Sequence, residues 1–154
     1  NYKFAKTYET LKGMAQQTHG SPHDGVSVEY INPMTGGPAL ATMACFASLL
    51  APGLHTKAHR HTGGTIYHVI QGKGLSVIEG KVFHWDEKDT FVVPSWHWHE
   101  HHAESESVLF SYSDSAIIAP LGLYREEALE GNNSHQKIDG RFEALPVPER
   151  GGGA

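Results

Sequence analysis

Cysteine is all but missing from the chain: Cys45 stands alone. No internal disulfide can therefore staple the fold, and a reducing cytoplasm is the expected compartment. Charge is sparse as well. Only 19% of residues are Asp, Glu, Lys or Arg, with a balance of −5 when histidine is neutral. So little basic surface argues against nucleic-acid binding, which needs cations along a phosphate backbone. No apolar run approaches the ~20 residues of a membrane span, and the opening residues lack a signal-peptide pattern. An initiator methionine is missing too: the sequence opens at Asn1, so it reads as processed or as a piece of something longer. Glycine and proline, by contrast, are plentiful, at 17 and 8 in 154 residues. That punctuation predicts many short strands joined by turns rather than a helical bundle, within one domain carrying appendages.

Apolar groups at Phe4, Tyr8, Leu11 and Met14 recur at helical spacing, so residues 1–14 are expected to form one amphipathic helix, weakened at Gly13. A loop by composition follows, and Val26–Ile31 reads as a strand. The mostly apolar run Leu40–Leu50 is long for a strand and invites a bulge. Short strands are then expected at Thr56–His61, Thr65–Ile70, Leu75–Glu79, Lys81–Trp85, Thr90–Val93, His99–His102 and Val108–Asp114, separated by Gly-rich or acidic turns. This is the pattern of an all-β sandwich or barrel. Leu123–Leu129 reads as a closing helix. The division expected is a helix and linker over residues 1–25, a barrel over 26–130 and a tail over 131–154, the tail resting on a partner or poorly ordered.

Histidine is the anomaly. Of twelve, nine fall between His55 and His102. His59 and His61 flank Arg60, and on a strand alternate side chains share a face, so both imidazoles can reach one metal ion about 2 Å from each nitrogen. The segment Pro94-Ser95-Trp96-His97-Trp98-His99-Glu100-His101-His102 offers His97, His99 and His101 as third ligands of matching parity. His19, His23 and His135 fall in loops and read as ordinary polar residues. His68 and His84 read as outward-facing, and His55 matches the pair in parity without declaring a role.

These residues resemble the two motifs of the cupin superfamily. Gly53 to Gly72, with its His59-x-His61, is similar to the first motif; Pro94-x-Trp96-x-x-His99 is similar to the second, and residues 73–87 lie between them. The resemblance implies a double-stranded β-helix, or jelly-roll barrel, with short N- and C-terminal helices, and it picks out His99 as the third ligand. The first motif's glutamate is replaced by Thr65, the second motif's glycines by Lys88 and Trp96, and its closing asparagine by Ala103. Within the superfamily, residues 30–38, 59–63, 67–72 and 121–127 resemble the gentisate dioxygenases and their salicylate- and hydroxynaphthoate-cleaving relatives, over about residues 1–130.

That family resemblance implies a ring-cleaving dioxygenase that converts gentisate and O2 to maleylpyruvate, with Fe(II), or another divalent metal, held by His59, His61 and His99. Its substrates would be a small aromatic hydroxy acid and dioxygen. Family members are bicupins, and the pattern here looks like their C-terminal cupin, which implies an N-terminal cupin half as partner and a homo-oligomer. Where their catalytic half carries an arginine six residues beyond the His-x-His pair, this chain has Tyr67; a glutamine often found two residues after the pair is Gly63. A non-catalytic module for bicupin assembly is thus the alternative. The resemblance gives His101 an acid/base role behind the metal and leaves Tyr67 as a hydrogen-bond donor to a bound anion. Trp96 and Trp98 are expected to pack under the site. Without a glutamate at Thr65, three neutral imidazoles would leave the ion its full charge for an anionic chelating substrate.

Overall fold

A computed structural model describes residues 2–142. Helix α1 (Phe4–Ala15) precedes nine strands: β1 (Val26–Tyr30), β2 (Ala44–Leu50), β3 (His59–His61), β4 (Thr65–Gln71), β5 (Gly74–Ile78), β6 (Lys81–Trp85), β7 (Thr90–Val93), β8 (His99–Ala103) and β9 (Ser107–Ser113). A single-turn helix α2 (Ser115–Ile118), strand β10 (Glu126–Ala128) and strand β11 (Gly140–Arg141) complete the described chain. The strands form two sheets, ordered β1-β2-β9-β4-β7 and β10-β3-β8-β5-β6-β11. From β2 to β10 each connection crosses between the sheets except the β5–β6 hairpin, so the two close face to face as the expected jelly-roll barrel.

Period-two patterning explains the closure. Thr65, Tyr67 and Val69 of β4 are buried while Ile66 and His68 between them are partly open. Leu50, Tyr67, Val69, Trp85, Phe91, Val93, Ala103 and Leu109 meet between the sheets as the main core. On the outer side of β2, Ala47 and Leu49 join Val26 and Val108 beneath Leu11 of α1, which is fully buried. The amphipathic stripe read from the sequence thus docks the helix on the first sheet.

Close packing leaves no room for a side chain at the start of β5. A Cβ at Gly74 would lie 2.2 Å from the His102 carbonyl oxygen and 2.6 Å from the buried Trp85 ring. Gly74→Ala is expected to cost about 3 kcal/mol and lower Tm by roughly 5–10 °C. Gly13→Ala, with open space inside α1, raises Tm slightly through helix propensity. Circular-dichroism melts of both variants read the contrast; equal melting temperatures would contradict it.

Four sequence expectations are corrected. Residues 123–129 form no helix: β10 runs there as an edge strand, antiparallel to β3, with Glu126 opposite His61 and Ala128 opposite His59. The closing helix is α2 instead. The strand expected from Leu40 begins at Ala44, because Leu40 and Met43 bridge each other in a turn. Only His59–His61 of residues 56–61 is strand. Finally, the described part of the tail is not loose. Residues 132–142 lie on the second sheet, where β11 pairs in parallel with β6 and the Asp139 N–H donates to the Gly80 carbonyl at 2.9 Å. Residues 143–154 lie outside the described residues.

Candidate metal centre

Strands β3 and β8 touch at one register pair, His59 opposite His99. His61, two residues along β3, shares the inward face, and all three imidazoles are buried. One ring nitrogen from each lies within 4.8 Å of the others. The rings of His59 and His99 have centroids 4.2 Å apart, and those of His61 and His99 5.0 Å. The structure therefore brings together His59, His61 and His99, but not His97, whose Nδ1 meets the Ser95 carbonyl at an exposed turn.

The protonation pattern suits a cation. His61 Nδ1 donates to the Gly63 carbonyl oxygen at 2.7 Å, and His99 Nδ1 donates to the His97 carbonyl oxygen at 3.0 Å. A carbonyl only accepts, so each Nδ1 carries a proton, and in the neutral ring the lone pair stands on Nε2. His99 Nε2 is buried without a hydrogen-bond partner, as is His59 Nδ1. Burial, reinforced by His23 and His61, lowers the His59 pKa to about 3, and burial with His59 beside it holds His99 well below the usual histidine range. Neutral imidazoles with orphaned lone pairs are what a divalent ion requires. The donor set fits a metal.

His101 sits deeper than a substrate-contacting residue. It is fully buried behind Tyr67, the rings 4.9 Å apart edge to face. The Trp85 indole N–H donates to Ser76 Oγ at 3.0 Å, and Ser76 Oγ lies 2.7 Å from His101 Nδ1. Ser76 Oγ thus hydrogen-bonds both rings and fixes the orientation of His101 against Trp85. Burial, then His99, lowers the His101 pKa to about 3, so the ring is neutral. Its Nε2 has no partner among the described residues.

A cavity of about 220 Å³ opens beside His59 and His61, lined also by Thr65, Tyr67, Asp24, Tyr124 and Glu126. A cavity of about 150 Å³ accepts benzene, so the space suits one substituted ring. Burial raises the Tyr67 pKa and keeps the phenol protonated; burial, then Glu126 and Asp24, raises that of Tyr124 to about 12. Asp24 is half-buried, its Oδ1 4.0 Å from His59 Nε2, and desolvation lifts its carboxyl above the ordinary range. Among the described residues the wall carries these two carboxylates and neither lysine nor arginine.

Several of these residues were invisible in the sequence. Asp24 and His23 sit in a loop between glycines, yet the His23 ring packs 4.7 Å from His59. Tyr124 and Glu126 arrive with the edge strand that the sequence disguised as a helix. Trp96 and Trp98 need correcting in the opposite sense: they do not pack under the site. Arg60 points out of the barrel between His59 and His61, and its guanidinium lies 4.5 Å from the Trp96 ring and 4.4 Å from the Trp98 ring. The same guanidinium donates to Glu127 of β10 at 2.7 Å. The tryptophans brace the outside of the ligand strand.

Comparison with known proteins agrees with this geometry. The cupin domain family matches residues 47–111. The chain is 45% identical over 126 residues to a 5-aminosalicylate 1,2-dioxygenase from Comamonas sp, covering 81% of this chain and 34% of that protein. It is 43% identical to gentisate 1,2 dioxygenase 1 from Aquipseudomonas alcaligenes, covering 82% and 36%. Among solved structures, salicylate 1,2-dioxygenase from Pseudaminobacter salicylatoxidans superposes with a TM-score of 0.75 at 30% identity, covering 82% of this chain and 38% of that one. The chain spans about a third of the length of these relatives.

Proposed function

We propose, from the premise that the chain is a cupin of the gentisate and salicylate 1,2-dioxygenase family, that it is the C-terminal cupin of a ring-cleaving dioxygenase and holds iron(II) through His59, His61 and His99. Its substrates are a small aromatic hydroxy acid of the gentisate type and O2. An N-terminal cupin half and further copies of the chain are its partners. The observation that carries the reading is the convergence of three buried imidazoles, with Nδ1 of His61 and His99 tied to backbone carbonyls.

Iron(II) held there by His59, His61 and His99 would supply positive charge and open coordination for a chelating hydroxy acid and dioxygen. The chain's own residues set the conditions. His59, His61 and His99 bring no negative charge, and Thr65 stands where a carboxylate ligand would weaken the hold on an anionic substrate. Tyr67 offers a protonated phenol at the cavity wall. Ser76 and Trp85 hold the neutral His101 ring in place behind it.

A second reading has its own observation. Asp24 and Glu126 line the cavity, and no lysine or arginine among the described residues offsets them, which favours a metal-binding module that serves assembly rather than turnover. The two readings part on one experiment: anaerobic iron loading of the chain, then oxygen uptake with gentisate, beside His59→Ala. The catalytic reading expects iron-dependent uptake that disappears in His59→Ala. Iron bound without uptake selects the assembly reading, and failure to bind any divalent metal overturns both.

A further inference from the structure

Side chains alternate along β8, so Glu100 faces away from the barrel interior that His99 and His101 occupy. An outward carboxylate is ordinarily solvated, yet Glu100 is only 1% exposed. Residues of the C-terminal segment cover it. Its Oε1 accepts the Gln136 backbone N–H at 2.9 Å. Its Oε2 lies 2.6 Å from His135 Nδ1 and 3.3 Å from His55 Nε2. The His55 and His135 rings stack with centroids 4.0 Å apart, and His102 stacks against His55 at 5.2 Å. No lysine or arginine pairs with Glu100 among the described residues, so histidines supply all its side-chain partners. A buried carboxylate requires compensating charge, and two imidazoles converging on one carboxylate oxygen form a donor set of the kind that binds divalent metals.

We propose that His55, Glu100 and His135 form a second divalent-metal site, for an ion of the zinc class, on the outer face of the second sheet. One donor atom from each residue lies within 4.8 Å of the others. Ligands about 2.0–2.1 Å from a tetrahedral ion stand about 3.3 Å apart. His55 Nε2 and Glu100 Oε2 already have that separation, and His135 Nδ1 needs to retreat from Oε2 by less than 1 Å to match it. Glu100 stays oriented meanwhile, because its other oxygen is held by Gln136. His55 and His135 are partly exposed, 39% and 29% at their side chains, so the ion enters from solvent and water completes its coordination. The site is separate from the barrel centre, from which the β8 backbone divides it. An ion there would fasten the segment carrying His135 to the sheet.

Zinc titration calorimetry on the full chain tests this. The unaltered chain is expected to bind two equivalents of Zn2+. The double variant His59→Ala/His61→Ala, with the barrel centre disabled, should bind one. His135→Gln or His55→Gln, each in the otherwise unaltered chain, should lose one equivalent and keep the other, and retention of the barrel equivalent reports that the fold survives. A single equivalent in the unaltered chain that vanishes in the double variant overturns the proposal. So do two equivalents persisting in both glutamine variants. None of these outcomes depends on dioxygenase activity, so the proposal stands or falls apart from the function assigned to the barrel.

Discussion

Replacing His99 by alanine is expected to weaken metal binding at the barrel centre by more than ~100-fold, whereas His97→Ala changes it less than about twofold. Losing a residue that merely orients a metal ligand costs 10–100-fold in affinity; losing one of three protein ligands costs more. His99 is fully buried and its Nε2 has no other partner. The His97 side chain lies outside the cluster, and what it lends the site is its backbone carbonyl, which survives truncation. Chelator competition in a His135→Gln background, so that only the barrel centre is read, measures both variants. Unchanged affinity in His99→Ala would remove the trihistidine assignment. Sequence parity offers His97, His99 and His101 as equals, so the contrast isolates what the fold adds.

Acid is expected to unfold the metal-free chain well before ordinary carboxylate titration would. His59 and His101 have pKa values lowered to about 3, in each case chiefly by burial, against about 6.5 when unfolded. Between those values the unfolded chain binds more protons than the native one, so stability rises with pH across that window and is lost as pH falls through it. Each pH unit below about 6.5 costs about 1.4 kcal/mol per fully titrating histidine. At pH 5 the pair together removes roughly 4 kcal/mol, a large part of a typical domain's stability. Thermal melts of the metal-free chain from pH 7.5 to 4.5 should show a steep fall beginning near pH 6.5, shallower in His59→Gln. A saturating divalent metal should shift the onset to lower pH, since proton and ion compete for the same lone pairs. A Tm that stays level from pH 7 to 5 would show that these imidazoles are not held neutral by burial.

The barrel and its ligand pair were legible because they rest on local periodicity. Alternation placed His59 with His61, and turn residues marked most strand ends within a residue or two. Selecting His99 needed the family motif; in the structure the selection is made by register, since it is His99 that sits across from His59. Local signals misled where partners are remote. Leu123-Tyr124-Arg125-Glu126-Glu127-Ala128-Leu129 is rich in helix formers, yet the open edge of β3 recruits it as a strand, and the Arg60–Glu127 pair rewards that register. Trp96 and Trp98 looked like packing beneath the metal because they flank His97. They instead sandwich a cation on the far side of the sheet. The Glu100–His135 contact spans 35 residues, and nothing local in either segment announces it.

β3 is three residues long and meets β8 at a single register pair, while β10 secures its other edge with three. The thinnest seam of the second sheet is therefore where the histidines converge. An ion bridging His59, His61 and His99 would bind that seam from within, at the point where the backbone ladder contributes least. Exchange of the ion with solvent then calls for no global unfolding: fraying of β10 frees one edge of β3, and local opening of so short a strand exposes the site. Residues 126–128 would then set how long a bound ion resides, separately from how strongly the imidazoles hold it.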